Sequence, residues 1–234
     1  TCPTFQEGWG AGSSLTDVSW GARGGTGANK VNFSSAWQRS GMTSFRTPLP
    51  TGTDARSAWN GCSALTSVSS ELPLVTSAAG TWANCTSLTS FSIDLPSATN
   101  VSSAFYGCSS LESFSSELPL GRYLGNAWRI CTSLTDFSAD VFANWNPSSI
   151  YNGVFDGAWN GCTSLTAQSV ENILTSIDSS GKRATTTGAF GGTALADAGI
   201  DIDYNGDPLS AATNAAVTSL KSKGWSIIVN NVTL

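Results

Sequence analysis

The chain has 234 residues, enough for one sizeable domain with a substantial core. It contains no His, one Met, 24 Gly and 12% charged residues, and roughly a quarter of it is Ser plus Thr. Mechanisms that need imidazole, from Ser-His-Asp and Cys-His nucleophiles to histidine zinc sites, are excluded, and a net charge of -5 offers no field to gather nucleic acid or an anionic membrane. The apolar run at 225–229 is far shorter than the ~20 residues of a spanning helix, so neither nucleic acid nor membrane insertion is expected. The chain starts at Thr1 with no apolar leader, which predicts either a removed signal peptide or a piece of something longer.

In chain order, a faint unit comes first, in Trp9, Gly12, Leu15 and Val18. A clearer copy follows in Trp37, Met42, Phe45, Leu49 and Pro50, with Ser40 near the place that cysteine takes later. Cys62, Cys85, Cys108 and Cys131 then recur every 23 residues, and Cys162 follows after 31, as if eight residues had been inserted. Trp59, Trp82, Phe105 and Trp128 keep the same phase, as do Leu65, Leu88, Leu111 and Leu134. Val68, Phe91, Phe114 and Phe137 form another column; Leu72, Leu95 and Leu118 come next, and Pro73, Pro96 and Pro119 close the unit. Regularity of this kind means stacked repeats.

A period in the low twenties fits a leucine-rich solenoid in which each coil supplies one short strand and one turn of helix or irregular chain. Stacking at about 4.8 Å turns columns into interior ladders. Alternation places Phe91, Ile93 and Leu95 inward and Ser90, Ser92 and Asp94 outward, with small polar Ser70 and Ser116 at inward sites. The segment before each cysteine, such as 102–106, is predicted to be a helical turn opened by Ser or Asn. In-register cysteines read as buried free thiols, with disulfides as the alternative, and the absence of C-x-x-C pairs gives metal binding at them no support. Of the sequons at Asn32, Asn84, Asn100 and Asn231, the second abuts a predicted core cysteine.

Beyond Thr166 the period changes. Val170, Ile173, Leu174 and Ile177 share one face of a helix over 169–177, with Gly181 as its stop. A second helix is predicted from about Asp207-Pro208 to Lys223, ended by Gly224, before a strand at 225–229. The resulting fold class is an α/β repeat: an N-terminal cap with a degenerate repeat (1–35), a solenoid (36–166) and a C-terminal α/β cap (167–234).

The stretches "SAWNGCSALTSV", "TWANCTSLTSF", "NVSSAFYGCSSLESF" and "NAWRICTSLTDF" resemble the BspA-type leucine-rich repeats of bacterial surface proteins. The stretch from "SVENILTSID" to "AVTSLKSKGWSIIVN" is similar to the cap that closes such arrays, including arrays on tailed-phage virions. The resemblance implies an adhesin or host-recognition module at a cell or virion surface, and not an enzyme.

Three constellations could carry chemistry. The outward strand positions repeat as Ser67, Ser69 and Glu71; Ser90, Ser92 and Asp94; Ser113, Ser115 and Glu117; and Asp136, Ser138 and Asp140. Stacking would align Glu71, Asp94, Glu117 and Asp140 into an acidic row suited to Ca²⁺, a cationic partner or, with the hydroxyls beside it, a glycan; a solvated stripe is the plainer reading. Equivalent exposed carboxylates lack the unlike environments of an acid/base pair, which speaks against glycoside hydrolysis. Asp201, Asp203, Asn205 and Asp207 match the opening of a calcium loop, yet the twelfth position is Ala212, so the segment reads either as a Ca²⁺ site without its closing carboxylate or as an Asn-Gly turn. No other cofactor is expected. The expected function is non-catalytic display of Ser, Thr, Asp and Glu rows to a glycan or protein receptor, extracellularly or on a virion, with loops such as 75–80 and 121–126 as another contact surface. The alternative is a structural subunit of a capsid, fibre or surface layer that binds copies of itself as a homo-oligomer.

Overall fold

A computed structural model describes residues 31–46, 48–150, 153–184 and 199–234. The faint first unit, Cys2 and most of the proposed N-terminal cap lie outside the described residues. The elements in order are β1 (Val31–Asn32), β2 (Ser44–Phe45), β3 (Gly52–Asp54), β4 (Ser67–Val68), β5 (Ser90–Phe91), β6 (Ser113–Phe114), β7 (Asp136–Phe137), β8 (Phe155–Trp159), α1 (Ala167–Ser179), β9 (Gly199–Ile202), α2 (Ala211–Ser222), β10 (Ser226–Val229) and β11 (Val232–Thr233).

The repeat strands pair in parallel at the offset the cysteines announce: Ser90 faces Ser113 and Ser113 faces Asp136, while Ser44 faces Ser67. Short parallel strands at this period fit a leucine-rich-repeat type of fold. They do not form one continuous ribbon. β2 and β4 make one small sheet, β5, β6 and β7 another, and β1 and β3 a third.

A second line of pairing runs through the segment before each cysteine, where the structure departs from the expected helical turn. Ala55, Ser57, Trp59 and Gly61 donate their N–H groups to Ser77, Ala79, Thr81 and Ala83 one coil on, at 2.8–2.9 Å. Between them Ala58, Asn60 and Cys62 donate back to Ala55, Ser57 and Trp59 in their own coil. A helix would spend every N–H within the coil; chained turns release alternate ones to tie coil to coil. Such a path needs left-handed residues at fixed places. One column is Ser57, Gly80, Ser103, Asn126 and Gly157, and the other is Gly61, Asn84, Gly107, Ile130 and Gly161, all at positive φ. Asn84 is therefore an exposed turn residue beside the core cysteine and not part of the core.

Between the two ladders lies the core. Trp37, Trp59, Trp82, Phe105, Trp128 and Trp159 stack in sequence, with centroids 5.0, 5.8, 5.1, 6.5 and 5.3 Å apart and planes within 17° of parallel. Phe91, Phe114 and Phe137 form a second stack that meets the first edge-on, as in Phe114 against Trp128 at 73°. Each such pair is worth about 0.5–1.5 kcal/mol beyond the area it buries.

All five described cysteines are free and buried. Each reaches back one coil to the carbonyl of the stacked aromatic: Cys62 to Trp37, Cys85 to Trp59, Cys108 to Trp82, Cys131 to Phe105 and Cys162 to Trp128, at 3.0–3.2 Å. Ser40, standing in the cysteine position of its coil, lies 3.3 Å from the Cys62 sulfur.

The C-terminal elements cover the last coil at both ladders. At one, β8 of that coil enters a sheet of order β11-β10-β9-β8, parallel except for the β10–β11 pair. At the other, the free edge of β7 is met by side chains of α1: Ser169 Oγ accepts from the Phe137 N–H, and Asn172 donates to the Phe137 carbonyl. These bonds occupy an edge that another strand could otherwise take. Val170, Ile173, Leu174 and Ile177 are buried beneath as expected. The second helix starts later than predicted, because Ser210 caps it by accepting from the Thr213 N–H, and Pro208 stays outside.

Burial raises the thiols, those of Cys108 and Cys162 to about 12. Below about pH 9 the thiols are neutral whether folded or unfolded; above it the unfolded chain loses protons that the folded chain keeps, so stability falls as pH rises toward 12. A thiol that stays protonated in the fold while it ionises in the unfolded chain, as Cys108 and Cys162 do between pH 9 and 11, adds up to about 1.4 kcal/mol per pH unit to that slope. Urea titrations at pH 9, 10 and 11 should show the slope reduced by about one such increment in Cys108→Ala, and an unchanged slope would contradict the assignment.

Candidate functional site

The outward strand positions reach solvent in every coil. Ser67, Ser69, Glu71, Ser90, Ser92, Asp94, Ser115, Asp136 and Asp140 are exposed, and Ser113, Glu117 and Ser138 are half-buried. Their order follows from the pleat: Phe91, Phe114 and Phe137 turn into the core, so their neighbours on the strand turn out. The inward polar positions Ser70 and Ser116 are buried, and Ser116 Oγ donates to the Ile93 carbonyl at 2.5 Å.

The acidic row is shorter than the sequence implied. Asp94 and Glu117 are direct neighbours, since Asp94 Oδ1 accepts from the Glu117 N–H at 2.9 Å. Asp140 leaves the row, because the chain after β7 winds into a 3-10 turn, Ala139–Phe142, opened by Ser138, whose Oγ accepts from the Asp140 N–H. Ser138 and Asp140 thus act as a local cap. Threonines beside the strands serve the stack itself: Thr66 donates to the Thr43 carbonyl, Thr135 to Glu112 and Thr166 to Thr135.

The calcium-like loop is not assembled as a ligand shell. Asp203 Oδ2 accepts from the Gly161 N–H at 2.7 Å, and Asn205 donates to Asp207 Oδ2 while accepting from the Asp207 N–H. Asp201 sits on β9, where burial and then the charge of Asp203 push its carboxyl up. Among the described residues no three His, Cys, Asp or Glu side chains gather in a way that could hold a metal. Gly206, at φ +87, makes the Asn-Gly turn.

The sequence columns did not mark one feature. The extra residues before Cys162 fold against the preceding coil: Trp145 is buried, and its indole N–H donates to the Gly121 carbonyl at 2.7 Å. Beside it opens a cavity of about 390 Å³ that includes Arg122 and Lys182. The break in period was its signal, because an insertion in one coil of an array becomes a loop on one face.

Asp203 is thus a tie between the last coil and the C-terminal sheet. A backbone bond to a charged acceptor is worth about 1.5–3 kcal/mol, so Asp203→Ala should lower Tm by about 3–10 °C and Asp203→Asn by less. Calorimetry with and without Ca²⁺ checks this; a calcium-dependent rise in Tm that Asp203→Ala abolishes would instead identify a ligand.

No protein-family model matches the chain, and no curated protein matches it. A similar solved structure is the crystal structure of a T. pallidum leucine-rich repeat protein, 20% identical, with a TM-score of 0.39 over 61% of this chain and 74% of that one. At that identity and score the likeness settles neither register nor function.

Proposed function

We propose that the chain is a non-catalytic recognition module: a leucine-rich-repeat solenoid over 36–166 of the BspA type, closed by an α/β cap over 167–234, that works at a cell or virion surface. The observation that carries this reading is the register Ser90–Ser113–Asp136, by which side chains 23 residues apart in sequence stand side by side in solvent. A row of equivalent groups on a stiff stack meets a repetitive partner, such as a glycan or an extended protein receptor, with many weak contacts, none of which needs further ordering on binding. The stacked rings and coil-to-coil bonds support that stiffness.

Catalysis gains no support from the same groups. The carboxylates of the rows all reach solvent and none is set in a cleft with a second carboxylate of contrasting environment, and histidine is absent from the sequence.

The test is a glycan and receptor-ectodomain array probed with the wild-type chain and with a Asp94→Lys, Glu117→Lys double variant. Asp94 is exposed and Glu117 half-buried, and the variant loses the Asp94 bond to the Glu117 N–H, so it should be destabilised by no more than about 3 kcal/mol and stay folded while losing binding about tenfold or more. Undiminished binding to the neutral glycans and receptors of the array would remove this face from the account. Light scattering separates recognition from self-assembly: a monodisperse monomer is expected, and a concentration-dependent polymer would favour a structural subunit.

A further inference from the structure

The cavity beside the insertion has a composition unlike that of the rest of the chain. In a protein with 11 basic and 16 acidic residues, the described residues of its lining include two cations, Arg122 and Lys182, and no carboxylate. Hydrogen-bonding side chains stand with them, those of Thr99, Asn146 and Ser148, and Leu120 and Pro147 supply apolar surface.

The cavity is built rather than incidental. Arg122 belongs to the repeat ladder, its N–H bonded to the Thr99 carbonyl at 2.8 Å. Its guanidinium donates to Ser149 of the insertion and lies 5.8 Å from the Tyr123 ring centre. Lys182 arrives from the segment after α1, and its ammonium donates to Asn146 Oδ1 and to the Pro147 carbonyl, both neutral. Two buried tryptophans fix the walls: the Trp145 indole bonds Gly121, and the Trp225 indole bonds the Lys182 carbonyl. Three separate parts of the chain thus meet here, the ladder, the insertion and the cap region.

We infer that this cavity binds one ring of an acidic sugar, carrying a carboxylate or a sulfate. The charge of the ligand follows from the two cations that share this lining, since guanidinium and ammonium groups both donate to a planar or tetrahedral oxyanion. The hydroxyls follow from the amide and hydroxyl groups of the lining, and the ring's C–H face from Leu120 and Pro147. A volume of about 390 Å³ lies near the lower end of small-ligand sites, about 300–1,000 Å³, which selects a single ring over a long chain. The site does not depend on the outward rows, and each can fail without the other.

The full chain is titrated calorimetrically with sodium glucuronate, galactose 6-sulfate, glucose and sodium sulfate. The two acidic sugars should bind, more weakly as salt is added; their relative affinity decides between carboxylate and sulfate, and glucose and bare sulfate should bind far less. Lys182→Met and Arg122→Gln should each weaken acidic-sugar binding about tenfold or more, and Lys182→Arg should retain it. Thermal unfolding checks that each variant is folded, and Lys182→Met, which keeps most of the apolar stem, stands in should Arg122→Gln unfold. The Asp94→Lys, Glu117→Lys variant should bind acidic sugars as wild type does. The assignment is overturned if no acidic sugar binds, if glucose or sulfate alone binds as tightly, if Lys182→Met binds undiminished, or if the row variant loses the affinity.

Discussion

The structure depends on lateral backbone pairing between coils that cannot fold alone. A single 23-residue coil has an aromatic, a cysteine and three or four leucine-like side chains on one side and nothing of its own to cover them. Burial is completed only by the coils above and below, and the two hydrogen-bonded ladders hold those coils at one offset. Once the offset is set, like side chains must meet, which is why tryptophan stacks on tryptophan and why every cysteine finds the carbonyl of the aromatic one coil back.

That arrangement has costs. Left-handed backbone is required twice per coil, and glycine, asparagine or serine fills nine of the ten places in the five coils from Ser57 to Gly161. Ile130 is the exception, at φ +63, a conformation that a β-branched residue adopts with strain. The indole N–H groups of Trp59, Trp82, Trp128 and Trp159 are buried without a hydrogen-bond partner, a penalty that Phe105 in the same column does not incur. Among the described residues, the tryptophans outside the stack, Trp145 and Trp225, have their N–H groups satisfied, by the carbonyls of Gly121 and of the cavity residue Lys182.

The sequence is most legible where the fold repeats side chains. The cysteine, aromatic and leucine columns, their burial and the outward rows could be read because stacking makes a position's duty the same in each coil. The second ladder was less legible, since its bridges join Asp54, Ser77, Asn100 and Tyr123: backbone groups do the pairing there, and the side-chain signal is only a short polar residue such as Asp54 or Asn100 that accepts from the N–H two residues on. For the same reason the chained turns at 102–106 looked helical, as serine and asparagine suit a helix start and a left-handed turn alike. Asp140 leaves the row because a 3-10 turn bends the chain after β7, and a D-x-D-x-N-G spacing does not tell a calcium ligand from a carboxylate that accepts a backbone N–H, as Asp203 does.

The rows and the cavity represent two uses of the same scaffold. Repetition supplies equivalent groups on the strand face, whereas the departure from repetition before Cys162 supplies an open cavity that two cations line. Both presuppose that coils stack in phase. The direct test is to delete one full coil, residues 86–108, so that Cys85 joins Ser109, and to compare it with deletion of half a coil, residues 86–97. The full-coil deletion, although it removes more of the core, should retain a single cooperative urea transition and near-ultraviolet circular dichroism from stacked rings, while the half-coil deletion should lose both. Equal behaviour of the two would contradict the stack.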